Sequence, residues 1–225
     1  MKKFLTIIIV LVTCFCMTAC NSCNSSYDYS ADANHVTKNQ FEKAISFDDK
    51  NFTMNIVTNS AAGIATSEEN YYQLANQTAY SENVFKSDNS IDYTGIVAED
   101  DNTISIYYGT KGSDNKITWT LQTNVSKEKY SESYYYCDRH SLISLISGFN
   151  FFDFIYSHED HVYTGTVTHS SLTMNVKLKF SNKNLVDVEL TNDDGSTAII
   201  GFTGYGKTQI TNWNGLEKIA TSLNG

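Results

Sequence analysis

The sequence predicts a mainly β fold of the α+β class, in which an antiparallel sheet is accompanied by two helical segments. Short runs from residue 52 onward alternate apolar and polar residues, as half-buried strands do. Short polar turns join these runs, which suits hairpins and leaves no room for crossover helices. Two segments, at residues 38–47 and 126–155, show apolar spacing of the helical kind instead.

The first predicted element is a helix from about Lys38 to Phe47. Thr37 and Gln40 have the spacing of a capping box, and Val36 stands where a hydrophobic staple would begin. The expected apolar face carries Phe41, Ala44 and Ile45. The polar run "DDKN" then ends the helix.

A series of strands follows this helix. The stretch "NFTMNIVT" alternates Phe52, Met54 and Ile56 with polar neighbours, and residues 62–80 predict two weaker strands. The runs "SIDYTGIVA", "TISIYYGT" and "KITWTLQT" come next, separated by the turns "EDDN" and "KGSDN". Two of these runs place three apolar residues each on one face: Ile104, Ile106 and Tyr108 in one, and Ile117, Trp119 and Leu121 in the other.

The pattern becomes helical over residues 126–155, where an apolar stripe ends at Gly148. The stripe consists of Leu142, Ile143, Leu145 and Ile146. Hairpin signals then resume with "HVYTGTVT", "SLTMNVKLKF", "LVDVELT" and "STAIIGFTG", and "KTQITNWNG" predicts a closing strand. In "SLTMNVKLKF" the alternation places Met174, Val176, Leu178 and Phe180 on one face.

The start of the chain predicts its location. A basic head and an apolar run of residues 4–17 are typical of a secretory signal, and "MTAC" resembles the lipobox of bacterial lipoproteins. We expect residues 1–19 to be a lipoprotein signal peptide and Cys20 to be the lipid anchor. Residues 20–35 would form a flexible tether and residues 36–225 a single domain held outside the cytoplasm on the bacterial cell membrane. The alternative is an uncleaved anchor, or an ordinary signal with a chance cysteine.

Charge excludes some partners. The formal net charge is −9, and removal of Lys2 and Lys3 with the signal makes the mature chain more acidic. Nucleic acids and anionic lipid surfaces attract basic patches, so we expect no nucleic-acid partner and membrane attachment only through the acyl anchor. Cys23 and Cys137 remain after processing, and the sequence leaves open whether they pair.

The stretch "GFTGYGKT", residues 201–208, fits a phosphate-binding loop pattern. Such a loop needs a helix directly after the Lys-Thr pair, whereas "QITNWNG" is β-forming. We therefore expect a turn between the last two strands, in which Gly204 and Gly206 adopt unusual backbone angles.

Other candidate sites are also weak. "SHEDH", residues 157–161, has metal-binding residue types but the composition of a hairpin tip. Cys137 and His140 lack an orienting third group. We predict no catalytic residue, no metal site and no cofactor.

The layout resembles the LolA/LppX-like superfamily of bacterial lipid-carrier lipoproteins, here a small extracytoplasmic lipoprotein of a Gram-positive type. The matched order is lipobox, polar tether, the "VTKNQFEKAI" helix, "NFTMNI", a meander and a helical insert. "FDFIYSHEDHVYTG", "LTMNVKLKFSNKNLVDVEL" and "GFTGYGKTQI" complete it, over residues 37 to about 214. The resemblance implies a strongly curved antiparallel sheet, an open half-barrel, with helices covering its concave face.

In that fold the hollow between sheet and helices would hold an acyl chain. The implied ligand-binding residues are Phe52, Met54, Ile56, Ile104, Ile106, Tyr108, Ile117, Trp119, Leu121, Met174, Val176, Leu178 and Phe180, with Leu142, Leu145, Ile146 and Phe149 as a lid. The expected function is non-catalytic binding of a lipid or other hydrophobic molecule. The alternative is an envelope protein-interaction or sensor module with a fully packed core. An envelope hydrolase is a third hypothesis, but the sequence lacks a clustered nucleophile and base.

Overall fold

The structure is a computed structural model that describes residues 28–47, 50–74, 79–100, 102–111, 117–126, 137–169 and 172–210 of the 225-residue chain. The predicted signal peptide, Cys20 and Cys23 lie outside these residues. The chain divides into two compact units, Met1–Asp32 and Ala33–Gly225. In the first unit, the described residues form a turn in which Ser30 donates from its N–H and its hydroxyl to the Asp28 carboxylate.

The second unit holds two α-helices and eleven strands in its described residues. The helices are α1 (Lys38–Ile45) and α2 (Cys137–Ser147), and a 3-10 helix covers Phe151–Asp153. The strands are β1 (Phe52–Asn59), β2 (Ala65–Gln73), β3 (Ala79–Phe85), β4 (Ile91–Ala98), β5 (Thr103–Lys111), β6 (Ile117–Ser126), β7 (Phe154–Ser157), β8 (Val162–His169), β9 (Leu172–Ser181), β10 (Asn184–Asn192) and β11 (Thr197–Thr203).

All eleven strands belong to one open antiparallel sheet in the order β6-β5-β4-β3-β2-β1-β11-β10-β9-β8-β7. Sequence neighbours pair as hairpins except β6 and β7, which form the two edges, and β1 pairs with β11 to join the two halves of the chain. The β9–β10 turn shows why these hairpins form: Asn182 and Lys183 both have positive φ, at 47° and 67°. Two such residues make a turn whose twist matches that of the flanking strands. The predicted antiparallel hairpins are confirmed.

The predicted fold class is wrong. Instead of an α+β half-barrel whose helices cover a concave face, the chain is an open antiparallel sheet with 58% strand, 11% helix and two short helices among its described residues. The error comes from the segment 126–155, whose apolar spacing predicted a large helical cover. Its described helix is only Cys137–Ser147, and Phe154 already begins a strand. Two short helices are too small to cover eleven strands.

Helix α1 forms for the predicted reason but ends earlier than predicted. Gln40 donates its N–H to the Thr37 hydroxyl while its side-chain oxygen accepts from the Thr37 N–H, so the capping box is confirmed. The helix ends at Ile45 because Ser46 adopts an extended conformation. Phe47 then turns into the core, where its ring stacks 5.2 Å from that of Phe202.

The main hydrophobic core lies on one face of the sheet, which we call the inner face. It is the face that carries Phe52, Met54 and Ile56 of β1, and the opposite face is the outer face. Strand β9 shows the predicted alternation fully: Met174, Val176, Leu178 and Phe180 are buried, and the residues between them are exposed. The Tyr163 hydroxyl ties this core to the segment before α1, accepting from Val36 N–H and donating to Val36 C=O, both at 2.9 Å.

Candidate functional site

Most of the predicted ligand-binding residues lie together on the inner face. Fourteen of the seventeen belong to the main core or pack against it: Phe52, Met54, Ile56, Ile104, Ile106, Tyr108, Leu142, Leu145, Ile146, Phe149, Met174, Val176, Leu178 and Phe180. Eleven of these are buried, while Tyr108, Leu142 and Leu145 are partly buried. The structure therefore brings together side chains from β1, β5, β9 and α2.

Around α1 these side chains form a packed core. The Phe41 ring lies 5.6 Å from Phe180 and 5.7 Å from Phe154, measured between ring centroids. Phe47 lies 5.1 Å from Phe52. Rings at these separations are in direct contact. Where α1 covers β1 and β7 to β11, the apolar side chains of these strands therefore stabilise the fold. A ligand site has to be sought elsewhere.

Three predicted residues lie on the other side of the sheet. Trp119 and Leu121 pack in a cluster on the outer face, and Ile117 shares their face and is exposed. The reason is the register of the β5–β6 hairpin: Gly109 pairs with Trp119 and Tyr107 with Leu121, so these β6 residues share the face opposite Ile106. Further along β6, a bulge where Asn124 has a φ of 56° shifts the register and returns Val125 to the inner face. The prediction that β6 contributes Ile117, Trp119 and Leu121 to the same face as Ile104 is wrong.

A polar patch interrupts the apolar inner face on β2, β3 and β4. Its two rows follow from the register, because directly paired residues share a face. One row consists of Tyr71, Ser81 and Thr94, and the other of Glu69, Asn83 and Asp92. We call these six residues the inner polar patch. It borders apolar core on the β1 side, where Met54 pairs with Tyr71 and Ile56 with Glu69.

Burial within the inner polar patch is graded. Ser81 and Tyr71 are each 1% exposed, and Glu69 is also buried. Asn83 and Thr94 are half-buried, while Asp92 is exposed, so solvent reaches the patch from the β4 side. A buried glutamate among core residues is rare because removing a carboxylate from water is costly.

Two polar atoms of the patch are buried without a hydrogen-bond partner: the Ser81 hydroxyl and the Asn83 side-chain oxygen. An unpartnered buried group of this kind costs about 1–3 kcal/mol. Because most buried polar groups in folded proteins are satisfied by protein or ordered water, each exception calls for an explanation of its own. Sequence reasoning missed this patch because Ala79, Tyr80 and Ser81 are all buried, which leaves β3 without an alternating pattern.

A separate cleft of about 450 Å³ lies between the two helices. It is lined by Glu42, Ile45, Ser46, Ile143, Ser144, Ser147 and Phe149. The Ser147 hydroxyl donates to the Ile45 carbonyl at 3.0 Å, and the Phe149 ring lies 5.5 Å from Phe154. Ile146 and Phe149, predicted as part of a lid, are therefore integrated in the core at this junction.

The outer face carries its own aromatic cluster on β2 to β6. This outer aromatic cluster consists of Tyr72, Tyr80, Tyr93, Val97, Tyr107, Trp119, Leu121 and Ile210. The Tyr93 and Trp119 rings lie 6.0 Å apart. A Cβ at Gly109 would come within 2.9 Å of the Trp119 ring, so the indole lies directly over that glycine. Burial, together with the nearby charge of Glu82, raises the pKa of Tyr93.

The phosphate-loop pattern forms a turn, as predicted. Gly204 and Gly206 have φ of 68° and 70°, and Thr208 N–H donates to the Gly204 carbonyl at 2.9 Å. The Thr208 hydroxyl contacts the Thr53 hydroxyl at 2.9 Å and donates to the same carbonyl. The predicted closing strand is wrong for residues 207–210, which are not in a strand, and its remainder lies outside the described residues.

Of the remaining sequence candidates, Cys137 and His140 lie in α2 with side chains outside those that the structure describes, and residues 157–161 span the end of β7 and the turn to β8. In "SHEDH", Ser157 donates to Asp160 and the His161 ring contacts the Tyr156 hydroxyl at 3.2 Å, so the exposed turn residues pair with the half-buried end of β7. No three His, Cys, Asp or Glu side chains converge on a metal position within the described ranges. In the same part of the chain, neither helix has the length and apolarity to cross a bilayer.

The sequence matches no protein-family model and no curated protein.

Proposed function

We propose that this chain is a membrane-anchored extracytoplasmic lipoprotein that binds a lipid or another hydrophobic ligand without catalysing a reaction. The sequence from Met1 to Cys20 supports the anchor, since a basic head, an apolar run and a lipobox-like cysteine occur in that order. Its resemblance to the LolA/LppX-like carriers supports the same assignment. Cys20 would hold the protein at the membrane surface, so local capture of a ligand suits it better than shuttling.

The observation that carries the binding proposal is the buried, unpartnered hydroxyl of Ser81 beside apolar core residues. Ligand sites typically combine mainly apolar walls with a few polar groups that orient the ligand. The inner face has this composition where Met54 and Ile56 border the inner polar patch. A ligand with an apolar body and a polar end would place its polar end against Ser81.

Two measurements test the proposal on the full chain. Native mass spectrometry of the purified protein should detect bound lipid, and the delipidated protein should take up N-phenyl-1-naphthylamine, a neutral fluorophore that brightens in apolar sites. Thr94→Trp should block uptake because it fills the inner polar patch. Thr66→Trp, at an exposed position near the start of β2, is the matched control and should leave uptake unchanged. Absence of both bound lipid and fluorophore uptake would refute the proposal.

A second candidate function is an envelope protein-interaction or sensor module without a ligand. The outer aromatic cluster favours it, because tyrosine and tryptophan are enriched at protein interfaces. The packed core beneath α1 also agrees with it. On this hypothesis Trp119→Ala should abolish cross-linking to a partner in the cell envelope, while fluorophore uptake by the purified protein stays absent.

A further inference from the structure

We propose that the edge strand β6 pairs with β6 of a second copy of this chain, so that the two sheets join across a two-fold axis. The inference goes beyond the proposed function, because the pairing needs no ligand. It concerns residues Ile117–Ser126, which form one of the two edges of the sheet.

The first argument is that β6 is a long and accessible edge. Within the described part of the chain, β6 pairs with β5 on one side and no strand lies on its other side. None of its ten residues is buried, and six of them are exposed. Such an edge presents backbone N–H and C=O groups that can bond to a further strand. The opposite edge strand, β7, has only four residues and offers another chain much less to pair with.

The second argument is charge. Exposed edge strands are commonly protected from pairing by charged side chains, above all by lysine. The β6 sequence "ITWTLQTNVS" contains no charged residue. In a two-fold pair the same strand meets itself, so a charge near the axis would face its own copy and oppose association. Strand β6 brings no such repulsion to the pair.

The third argument is a register in which the strand complements itself. A bulge at Asn124 shifts the pairing of β6 with β5, so the strand is regular only before it. Antiparallel pairing brings residues of the same face opposite each other, and a pair centred on Thr120 uses residues 117–123 of both copies. Thr120 then faces Thr120 of the second copy, while Trp119 faces Leu121.

This register also extends the outer aromatic cluster from one copy into the next. Trp119 and Leu121 belong to that cluster and are only half-buried, because they lie at its border on the edge strand. Pairing places each of them beside the other residue of the second copy, and directly opposite aromatic and aliphatic side chains stabilise paired strands. Ile117, which is 37% exposed, gains Thr123 as its neighbour.

Co-purification of two differently tagged full-length chains, expressed together and solubilised in a non-ionic detergent, tests the inference. We expect each tag to recover the other, and native mass spectrometry to show twice the mass of one chain. Thr120→Lys should weaken association by at least about hundredfold, because it places two ammonium groups opposite each other at the axis. Thr166→Lys, at an exposed position of the interior strand β8, is the matched control and should leave recovery unchanged.

The mixed pair gives the sharpest result. Thr120→Glu should prevent self-association in the same way as Thr120→Lys, but the two variants expressed together bring opposite charges to the axis and should recover each other. A general loss of stability would not be rescued in this way. If Thr120→Lys fails to fold by circular dichroism, the double variant Thr118→Lys with Gln122→Lys replaces it, since residue 118 of one copy faces residue 122 of the other.

Three results would overturn the inference. The first is a monomer mass together with no cross-recovery of the unsubstituted chains. The second is a dimer that survives in the charged variants, because its interface would then lie elsewhere on the molecule. The third is a mixed pair that does not associate. Fluorophore uptake tests the proposed function separately, and none of these three results changes its expected outcome.

Discussion

Replacing Ser81 by alanine should stabilise the protein, which is the opposite of the usual effect of a core substitution. The Ser81 hydroxyl is buried and has no hydrogen-bond partner, so folding removes it from water without compensation. That desolvation costs about 1–3 kcal/mol. Deleting one oxygen leaves a void of at most about 15 Å³, and at about 24 cal/mol per Å³ the void costs only about 0.4 kcal/mol. The expected net gain in the free energy of unfolding is about 1 kcal/mol.

Urea unfolding followed by far-UV circular dichroism measures this gain. The urea concentration at the midpoint of unfolding should rise in Ser81→Ala. The slope of the unfolding free energy against urea concentration should stay unchanged, because the substitution changes stability and not the compactness of either state. Thr208→Val is the matched control, since it deletes a buried hydroxyl that does have partners, at 2.9 Å from Thr53 and 3.1 Å from the Gly204 carbonyl. The free energy of unfolding of Thr208→Val should be about 1 kcal/mol lower than that of the unsubstituted protein.

A loss of 1 kcal/mol or more in Ser81→Ala would refute the reasoning, because it would mean that the hydroxyl is already satisfied. The same variant should take up N-phenyl-1-naphthylamine less tightly. Stability gained and binding lost at one residue is the expected signature of a group kept for a ligand.

Three further changes test other parts of the fold. Tyr163→Phe should lower the free energy of unfolding by about 1–3 kcal/mol, measured in urea, because it removes both buried hydrogen bonds to Val36. Leu178→Ala should lower it by about 2–5 kcal/mol in the same assay, since Leu178 is fully buried in the centre of the core. Burial raises the pKa of the Tyr205 hydroxyl, which donates to Leu185 C=O, well above the ordinary value near 10. Stability should therefore fall as the pH rises above about 10, where the unfolded chain loses a proton that the folded chain keeps, and Tyr205→Phe should flatten this fall; an identical pH profile in the variant would contradict it.

Strands with one buried face could be predicted well from sequence. In β9 every second residue enters the core, so hydrophobic alternation alone assigns Met174 to Phe180 correctly. The capping box of Thr37 and Gln40 and the glycine turn at residues 204–206 were also predictable, because both depend on residues close in sequence. The sequence is sufficient to predict a cap or a turn wherever the interacting groups lie within a few residues of each other.

Prediction from sequence patterns failed where contacts between distant segments determine the structure. The register of the β5–β6 hairpin places Trp119 on the outer face, and register is a property of two paired strands that one strand's pattern does not contain. The predicted helical cover failed for a related reason, since apolar spacing over residues 126–155 indicates what is buried and not which structure buries it. Phe154 is buried as part of a strand.

The sequence by itself determined the antiparallel hairpins, the helix start at Thr37 and the inner-face stripe of β9, because each follows from periodicity or short-range hydrogen bonds. Only the tertiary structure decided that Phe41 of α1 and Phe47 pack against the inner face and that Ser81 is buried without a partner. Strand β3 is buried on both faces near Ser81, so its sequence carries no alternation to reveal the site. Whether a polar group finds a partner depends on side chains from neighbouring strands, which come together only when the sheet forms.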